Sequence, residues 1–145
     1  MSKTKIWLVW LILILFPLSG LLLNQTYKQE PVYKVLPGSG KKCWIGEKYY
    51  FTYKFVEKPK LGTAILKIQL FDKGGDRFTN LEIAGNSGMP SMGGAHDSGE
   101  VLFKLNKKGD YLLPVNIVMR GEWEVRLTFT KDKKVIYRGS FKFNV

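Results

Sequence analysis

Three residues with metal-ligating side chains lie close together in a glycine-rich stretch of the sequence. Met89, Met92 and His96 follow the spacing M-x-x-M-x-x-x-H. Thioethers are soft, neutral ligands that suit Cu(I), and imidazole accepts both Cu(I) and Cu(II), so two sulfurs and one nitrogen predict a trigonal cuprous site. The same pattern has a second interpretation. Met89 and Met92 can be flexible apolar plugs over one end of the fold, with His96 an ordinary solvated loop residue.

The remaining residue types offer little for catalysis. Cys43 is the only cysteine, which excludes a disulfide within the chain and zinc sites that need two or four cysteines. His96 is the only histidine, and none of the serines lies in a G-x-S-x-G context. We therefore expect no enzyme. Cys43 is expected to be a small buried apolar residue, with a thiol ligand and an intermolecular pairing as alternatives.

Composition limits the number of domains and the class of partner. The chain has 145 residues, 45% of them hydrophobic and 24% charged, which is enough for one packed domain and too few for two. The formal net charge is +11. The aromatic residues of 49–53 lie between Lys48 and Lys54, but the strand alternation turns most of the aromatic rings inward, so we expect no nucleic acid partner. An anionic polymer or lipid remains an alternative partner for so basic a chain.

The N-terminal residues predict attachment to a membrane. Ile6 to Leu23 are eighteen consecutive uncharged residues, with lysines on both sides. This length suits a transmembrane helix, so residues 1–24 are expected to be an N-terminal membrane anchor, with a cleaved signal segment as the alternative. Residues 25–44, rich in proline, glycine and lysine, are expected to be a tether. The domain that follows is expected on the periplasmic or extracytoplasmic face.

From residue 45 onward, apolar residues alternate with polar ones at the period of a half-buried β-strand. Such runs cover residues 49–55, 64–70, 101–105, 115–119, 123–129 and 137–145. Pro114 predicts a break, and residues 85–99, with five glycines, predict a long exposed connection. About seven strands and no amphipathic helix predict an all-β fold, an immunoglobulin-like antiparallel β-sandwich.

Three motifs carry a resemblance to a known family. They are Gly88-Met89-Pro90-Ser91-Met92-Gly93, Gly109-Asp110-Tyr111 and Met119-Arg120-Gly121-Glu122-Trp123. In this order they resemble the YtkA-like domain, which is similar to the periplasmic domains of FixH-type proteins. The resemblance covers residues 45–145 and implies an exported or anchored immunoglobulin-like sandwich. It also implies copper handling, because FixH-type relatives accompany oxidase assembly and a copper-transporting ATPase. It assigns no ligands, since Met92 and Met119 also fit packing near Trp123.

Together these observations predict a membrane-anchored extracytoplasmic binding or accessory module. Its concrete form is Cu(I) binding or delivery through Met89, Met92 and His96, with a protein of a membrane complex or copper pathway as partner. The alternative is a structural accessory or assembly subunit of a membrane complex, with no metal site.

Overall fold

The computed structural model describes residues 29–145, which fold almost entirely into β-strands. The strands are β1 (Lys34–Val35), β2 (Cys43–Ile45), β3 (Tyr49–Phe55), β4 (Gly62–Asp72), β5 (Glu82–Gly88), β6 (Val101–Leu102), β7 (Lys104–Leu105), β8 (Tyr111–Ile117), β9 (Glu122–Lys131) and β10 (Lys134–Asn144). A 3₁₀ turn, Pro90–Met92, is the only helical element among these residues. None of the described helical structure is long and apolar enough to cross a membrane. The predicted N-terminal anchor or signal segment, residues 1–24, lies outside the described residues.

The strands form two five-stranded sheets. Sheet A has the order β1-β10-β9-β5-β6, and sheet B has the order β2-β3-β4-β8-β7. Every pairing is antiparallel except that of β1 with β10, which is parallel. The predicted all-β antiparallel sandwich is confirmed. The ten strands in residues 29–145 exceed the predicted seven. β1 and β2 are too short to show a period, the predicted run 101–105 forms two strands, β6 and β7, and β5 matches none of the predicted runs.

The inner faces of the two sheets form one hydrophobic core. The predicted alternation is confirmed in β3, β4, β8 and β9, where alternate side chains face the core. Tyr50 in β3 and Thr128 in β9 lie on the opposite face and are buried as well. The largest fully buried side chains come from both sheets: Trp123, Phe51, Phe129, Leu66, Ile68, Leu70, Ile83, Ile117 and Leu127. Burial of this apolar surface is the main favourable contribution to folding, at about 25 cal/mol per Å².

The predicted strand face of Val101, Phe103 and Leu105 is wrong. Val101 pairs with β5 in sheet A, whereas Leu105 pairs with β8 in sheet B, so the chain passes from one sheet to the other between them. Phe103 is buried, and its backbone N–H donates to the carbonyl oxygen of Ile83 at 2.8 Å. Val101 and Leu105 are both exposed. The sequence of residues 101–105 therefore resembles one strand, although Phe103 alone is buried at the point where the chain passes between the sheets.

The predicted connection over residues 85–99 is shorter than expected, because residues 85–88 belong to β5. A Cβ atom at Gly85 would lie 2.6 Å from Leu113 Cδ2 and 3.0 Å from Phe103 Cε2. Glycine is required there by the close approach of the two sheets. The predicted break at Pro114 is also absent, since Pro114 lies within β8 opposite Ile65. It lies beyond the part of β8 that pairs with β7, where a missing N–H is tolerated.

Part of the predicted tether, residues 25–44, belongs to the sandwich. β1 lies within it, β2 begins at Cys43, and the side chain of Leu36 is buried. A Cβ atom at Gly139 would lie 2.5 Å from Leu36 Cδ2, so Leu36 packs directly on the backbone of β10. Cys43 is a free cysteine in the core, and burial raises the pKa of its thiol to about 11. The described chain therefore joins the core upstream of residue 45.

A buried carboxylate joins two loops at the start of β8. Asp110 Oδ1 accepts hydrogen bonds from Arg77 Nη2 and from Gln69 Nε2, both at 2.7 Å. Burial by itself would raise the pKa of Asp110. The two hydrogen bonds and the positive charges of Lys67 and Arg77 outweigh burial and hold this pKa below its ordinary value of 3.8. The ionised form of Asp110 is therefore favoured by folding.

We expect the Asp110→Asn variant to be about 1–2 kcal/mol less stable than the wild type near neutral pH, because the charge-assisted hydrogen bonds are lost. A carboxyl group with a lowered folded-state pKa stabilises the fold above its ordinary pKa, and this contribution disappears as the pH falls through the folded-state value. The difference should therefore shrink below pH 3.8. Urea unfolding across pH measures it, with Asp76→Asn in the neighbouring turn as the control. A difference independent of pH would contradict the assignment.

Candidate functional site

The predicted metal-binding residues lie on the loop between β5 and β6, at one end of the sandwich. Three backbone hydrogen bonds shape this loop into successive tight turns. The N–H of Met92 donates to the carbonyl of Met89 at 3.0 Å, that of Ala95 to Met92 at 3.1 Å, and that of Asp97 to Gly94 at 3.1 Å. Each turn of this kind keeps its end Cα atoms within about 7 Å. The loop is therefore compact.

Two residues fasten the far end of the loop to sheet A. The N–H of Ser98 donates to the carbonyl of Ser87 at 2.8 Å, and Ser98 Oγ accepts from the N–H of Ser87 at 3.0 Å. The carboxylate of Asp97 packs against the backbone of Gly88 and accepts a hydrogen bond from Arg126 Nη2 at 3.3 Å. A side chain at Gly88 would displace this carboxylate. The loop is thus anchored on a rigid strand pair.

The structure places the three predicted ligands at different depths. Met89 is 5% exposed and belongs to the hydrophobic core, whereas Met92 is 42% exposed. His96 is partly exposed. Met92 and His96 are therefore accessible from solvent on neighbouring turns, and Met89 lies beneath the loop.

Met89 packs against the turn between β8 and β9. A Cβ atom at Gly121 would lie 2.9 Å from Met89 Cε, so the methyl group of Met89 lies on the glycine backbone. Trp123, at the start of β9, donates from Nε1 to the carbonyl of Met119 in this turn, at 3.0 Å. The M-P-x-M and M-x-G-x-W motifs therefore meet at one end of the fold. The packing of Met89 agrees with the plug interpretation of this residue.

Met119 supplies a further thioether at this end. Its sequence context suggested packing near Trp123. The residue continues the alternation of Val115 and Ile117 in the sequence, but β8 ends at Ile117. Met119 is instead 39% exposed in the turn that contacts Met89. The Arg120-Gly121 pair that follows is the signal that could have shown the strand ending earlier.

The potential metal donors at this end are the thioethers and the imidazole, since the carboxylate of Asp97 is already bonded to Arg126. Within residues 29–145, no group of three or more His, Cys, Asp or Glu side chains is arranged to hold a metal ion. A thioether is neutral, so it can alternate between apolar packing and metal coordination without burial of a charge. Met92 and His96 can be reached by a metal ion directly, whereas the Met89 sulfur requires rotation of its side chain.

Comparisons with known proteins support the fold of this chain but assign it to no family. No protein-family model matches the chain, and no curated protein matches it. Two solved structures of FetP from uropathogenic Escherichia coli strain F11 are similar, each with a TM-score of 0.51 and 12% identity. One is the as-isolated protein expressed in the periplasm, with 74% of this chain and 93% of FetP covered. The other is a copper-bound variant, with 77% and 97% covered. At this identity the similarity supports the β-sandwich fold.

Proposed function

We propose that this protein is an extracytoplasmic module that binds Cu(I) at the loop between β5 and β6, with Met89, Met92 and His96 as ligands. One observation carries the proposal. Two thioethers and the only histidine lie on consecutive turns of a compact loop that is fastened to a rigid sandwich. In this proposal the protein performs no reaction of its own. It holds the metal or passes it to a partner.

The accessible pair would capture the metal first. Met92 is exposed and His96 is partly exposed, so a thioether sulfur and an imidazole nitrogen meet solvent on the same loop. Cu(I) accepts both donor types. Met89 would supply the third ligand by turning its sulfur from the core toward the loop, which its three rotatable side-chain bonds allow.

Two similarities support copper as the metal. The motifs of residues 88–93, 109–111 and 119–123 resemble the YtkA-like and FixH-type domains, which implies copper handling. FetP, whose fold is similar, has been solved in a copper-bound form. The same two similarities support a periplasmic location for this domain. Residues 1–24 would anchor the domain to the membrane, and a protein of a membrane complex or copper pathway would be its partner.

Competition with a chromophoric Cu(I) chelator under reducing conditions tests the proposal on the full chain. We expect one Cu(I) per chain, and binding weakened about 10–100-fold, or about 1.4–2.8 kcal/mol, in Met92→Leu and in His96→Asn. Met119→Leu, which removes a thioether from the same end but from another element, should bind as the wild type does. Wild-type affinity in the Met92→Leu/His96→Asn double variant would remove the loop from consideration.

The packing of Met89 favours a second candidate function, a structural accessory or assembly subunit without a metal site. Under this alternative, Met89 fills space over Gly121 and does nothing else. Substitutions at Met92 and His96 would then change no metal affinity. Recovery of the tagged chain from membranes would instead yield a partner protein in equal amount, whether or not copper is supplied.

A further inference from the structure

The outer face of sheet B carries a row of aromatic rings between two cations. Trp44, Tyr50 and Phe71 are directly opposite one another on β2, β3 and β4. The ring centroids of Trp44 and Tyr50 are 5.1 Å apart, and Tyr50 stacks on Phe71 at 5.0 Å. Lys42 Nζ lies 4.5 Å from the Tyr50 ring centroid, and the Arg77 guanidinium carbon lies 5.3 Å from that of Phe71. Trp44 remains substantially exposed.

A second row on the same face consists mainly of lysines. Lys54 is directly opposite Lys67, Lys67 is opposite Leu112, and Leu112 is opposite Lys104. Like charges directly opposite each other on neighbouring strands destabilise a sheet. Among the ion pairs of residues 29–145, none involves these three lysines. Lys54 and Lys104 are exposed, so their positive charges are available to a partner, whereas Lys67 is partly exposed and its charge also acts on Asp110.

The two outer faces of the sandwich differ in charge. The outward positions of β2, β3, β4 and β8 include no acidic residue, and the nearby Asp110 is already bonded to Arg77. On sheet A, by contrast, the outward residues Glu122 and Glu124 form ion pairs with Lys142 and Arg126. In the described part of the chain, only the outer face of sheet B therefore combines lysines and aromatic rings without acidic residues.

We propose that the outer face of sheet B contacts anionic lipid headgroups. Lysines near a membrane are attracted to anionic lipids, and an exposed Trp ring such as that of Trp44 favours the headgroup region, whereas Tyr50 beside it is only 7% exposed. The apolar segment of residues 6–23 ends about ten residues before β1, the first strand of the sandwich, so a short linker would hold the sandwich near the bilayer. The inference rests on the membrane attachment in the proposed function and is independent of copper.

A spin label on each outer face tests the contact in the full chain. Thr52 lies between the two rows on sheet B, and Thr130 is its counterpart on the outer face of sheet A. A nitroxide is attached to Thr52→Cys or to Thr130→Cys. Cys43 stays unlabelled because it is buried and its thiol pKa is about 11, and the unsubstituted chain verifies this. The chain is reconstituted in phosphatidylcholine vesicles with or without phosphatidylglycerol.

We expect phosphatidylglycerol to shield the label at position 52 from a water-soluble paramagnetic relaxing agent, and to leave the label at position 130 exposed. High salt, or Lys54→Glu with Lys104→Glu, should abolish the shielding. Equal exposure of position 52 in both lipids would overturn the proposal, and so would shielding without vesicles, which would indicate a second copy of the chain on this face. Flotation of the chain with the vesicles reports attachment separately, so loss of the face contact is distinguished from failure of the anchor.

Discussion

Trp123→Ala is expected to lower the free energy of unfolding by about 3–5 kcal/mol, the range for removal of a large buried aromatic side chain. Trp123 is 1% exposed and is the largest fully buried side chain in the described residues. The change leaves a cavity between the sheets. It also removes the hydrogen bond from Trp123 Nε1 to the carbonyl of Met119, at 3.0 Å. Chemical unfolding followed by far-UV circular dichroism measures the loss.

Trp44→Ala is the matched control, because Trp44 is 44% exposed on the outer face of sheet B. Its cost should stay below about 1 kcal/mol, since the ring lies outside the hydrophobic core between the sheets. Comparable losses at the two positions would contradict the core position of Trp123. Trp123→Phe should cost less than alanine, because the phenyl ring retains most of the packing and loses the N–H donor.

The strand pattern could be predicted where packing follows a simple period. In β3, β4 and β9 the alternation of apolar residues coincides with the buried face. The pattern could not be predicted where the residue type is determined by packing against the opposite sheet. Gly85 lies in a strand because the side chains of Leu113 and Phe103 occupy the space of its missing Cβ. The short distance between the sheets explains why this residue is a glycine, and that distance cannot be read from a single sequence.

For the candidate site, the sequence likewise predicted local positions but not contacts between distant residues. The spacing of Met89, Met92 and His96 indicated one loop, and they lie on one loop. The spacing could not indicate that Met89 packs on Gly121, thirty-two positions away in the chain. The lysine row was equally hidden, because Lys54, Lys67 and Lys104 become neighbours only through strand register. Local pattern predicts elements, whereas contacts between elements require the fold.

Substitutions at Met89 are expected to separate the packing role from the ligand role. Met89→Ala should lower the free energy of unfolding by about 2–5 kcal/mol, because a buried side chain over Gly121 is replaced by a cavity. Met89→Leu conserves the volume and apolar character, so it should cost less than about 1.5 kcal/mol. Both values follow from denaturant unfolding of the metal-free chain.

The leucine variant then decides what the sulfur does. If Met89 is a ligand, Met89→Leu keeps the fold but weakens Cu(I) binding about 10–100-fold, or about 1.4–2.8 kcal/mol, because leucine fills the space without a donor atom. Wild-type Cu(I) affinity in this stable variant would limit the site to Met92 and His96 and leave Met89 a packing residue. Bound Cu(I) should also raise the midpoint of unfolding of the wild type more than that of Met89→Leu, since at one free Cu(I) concentration the stabilisation grows with the logarithm of the affinity.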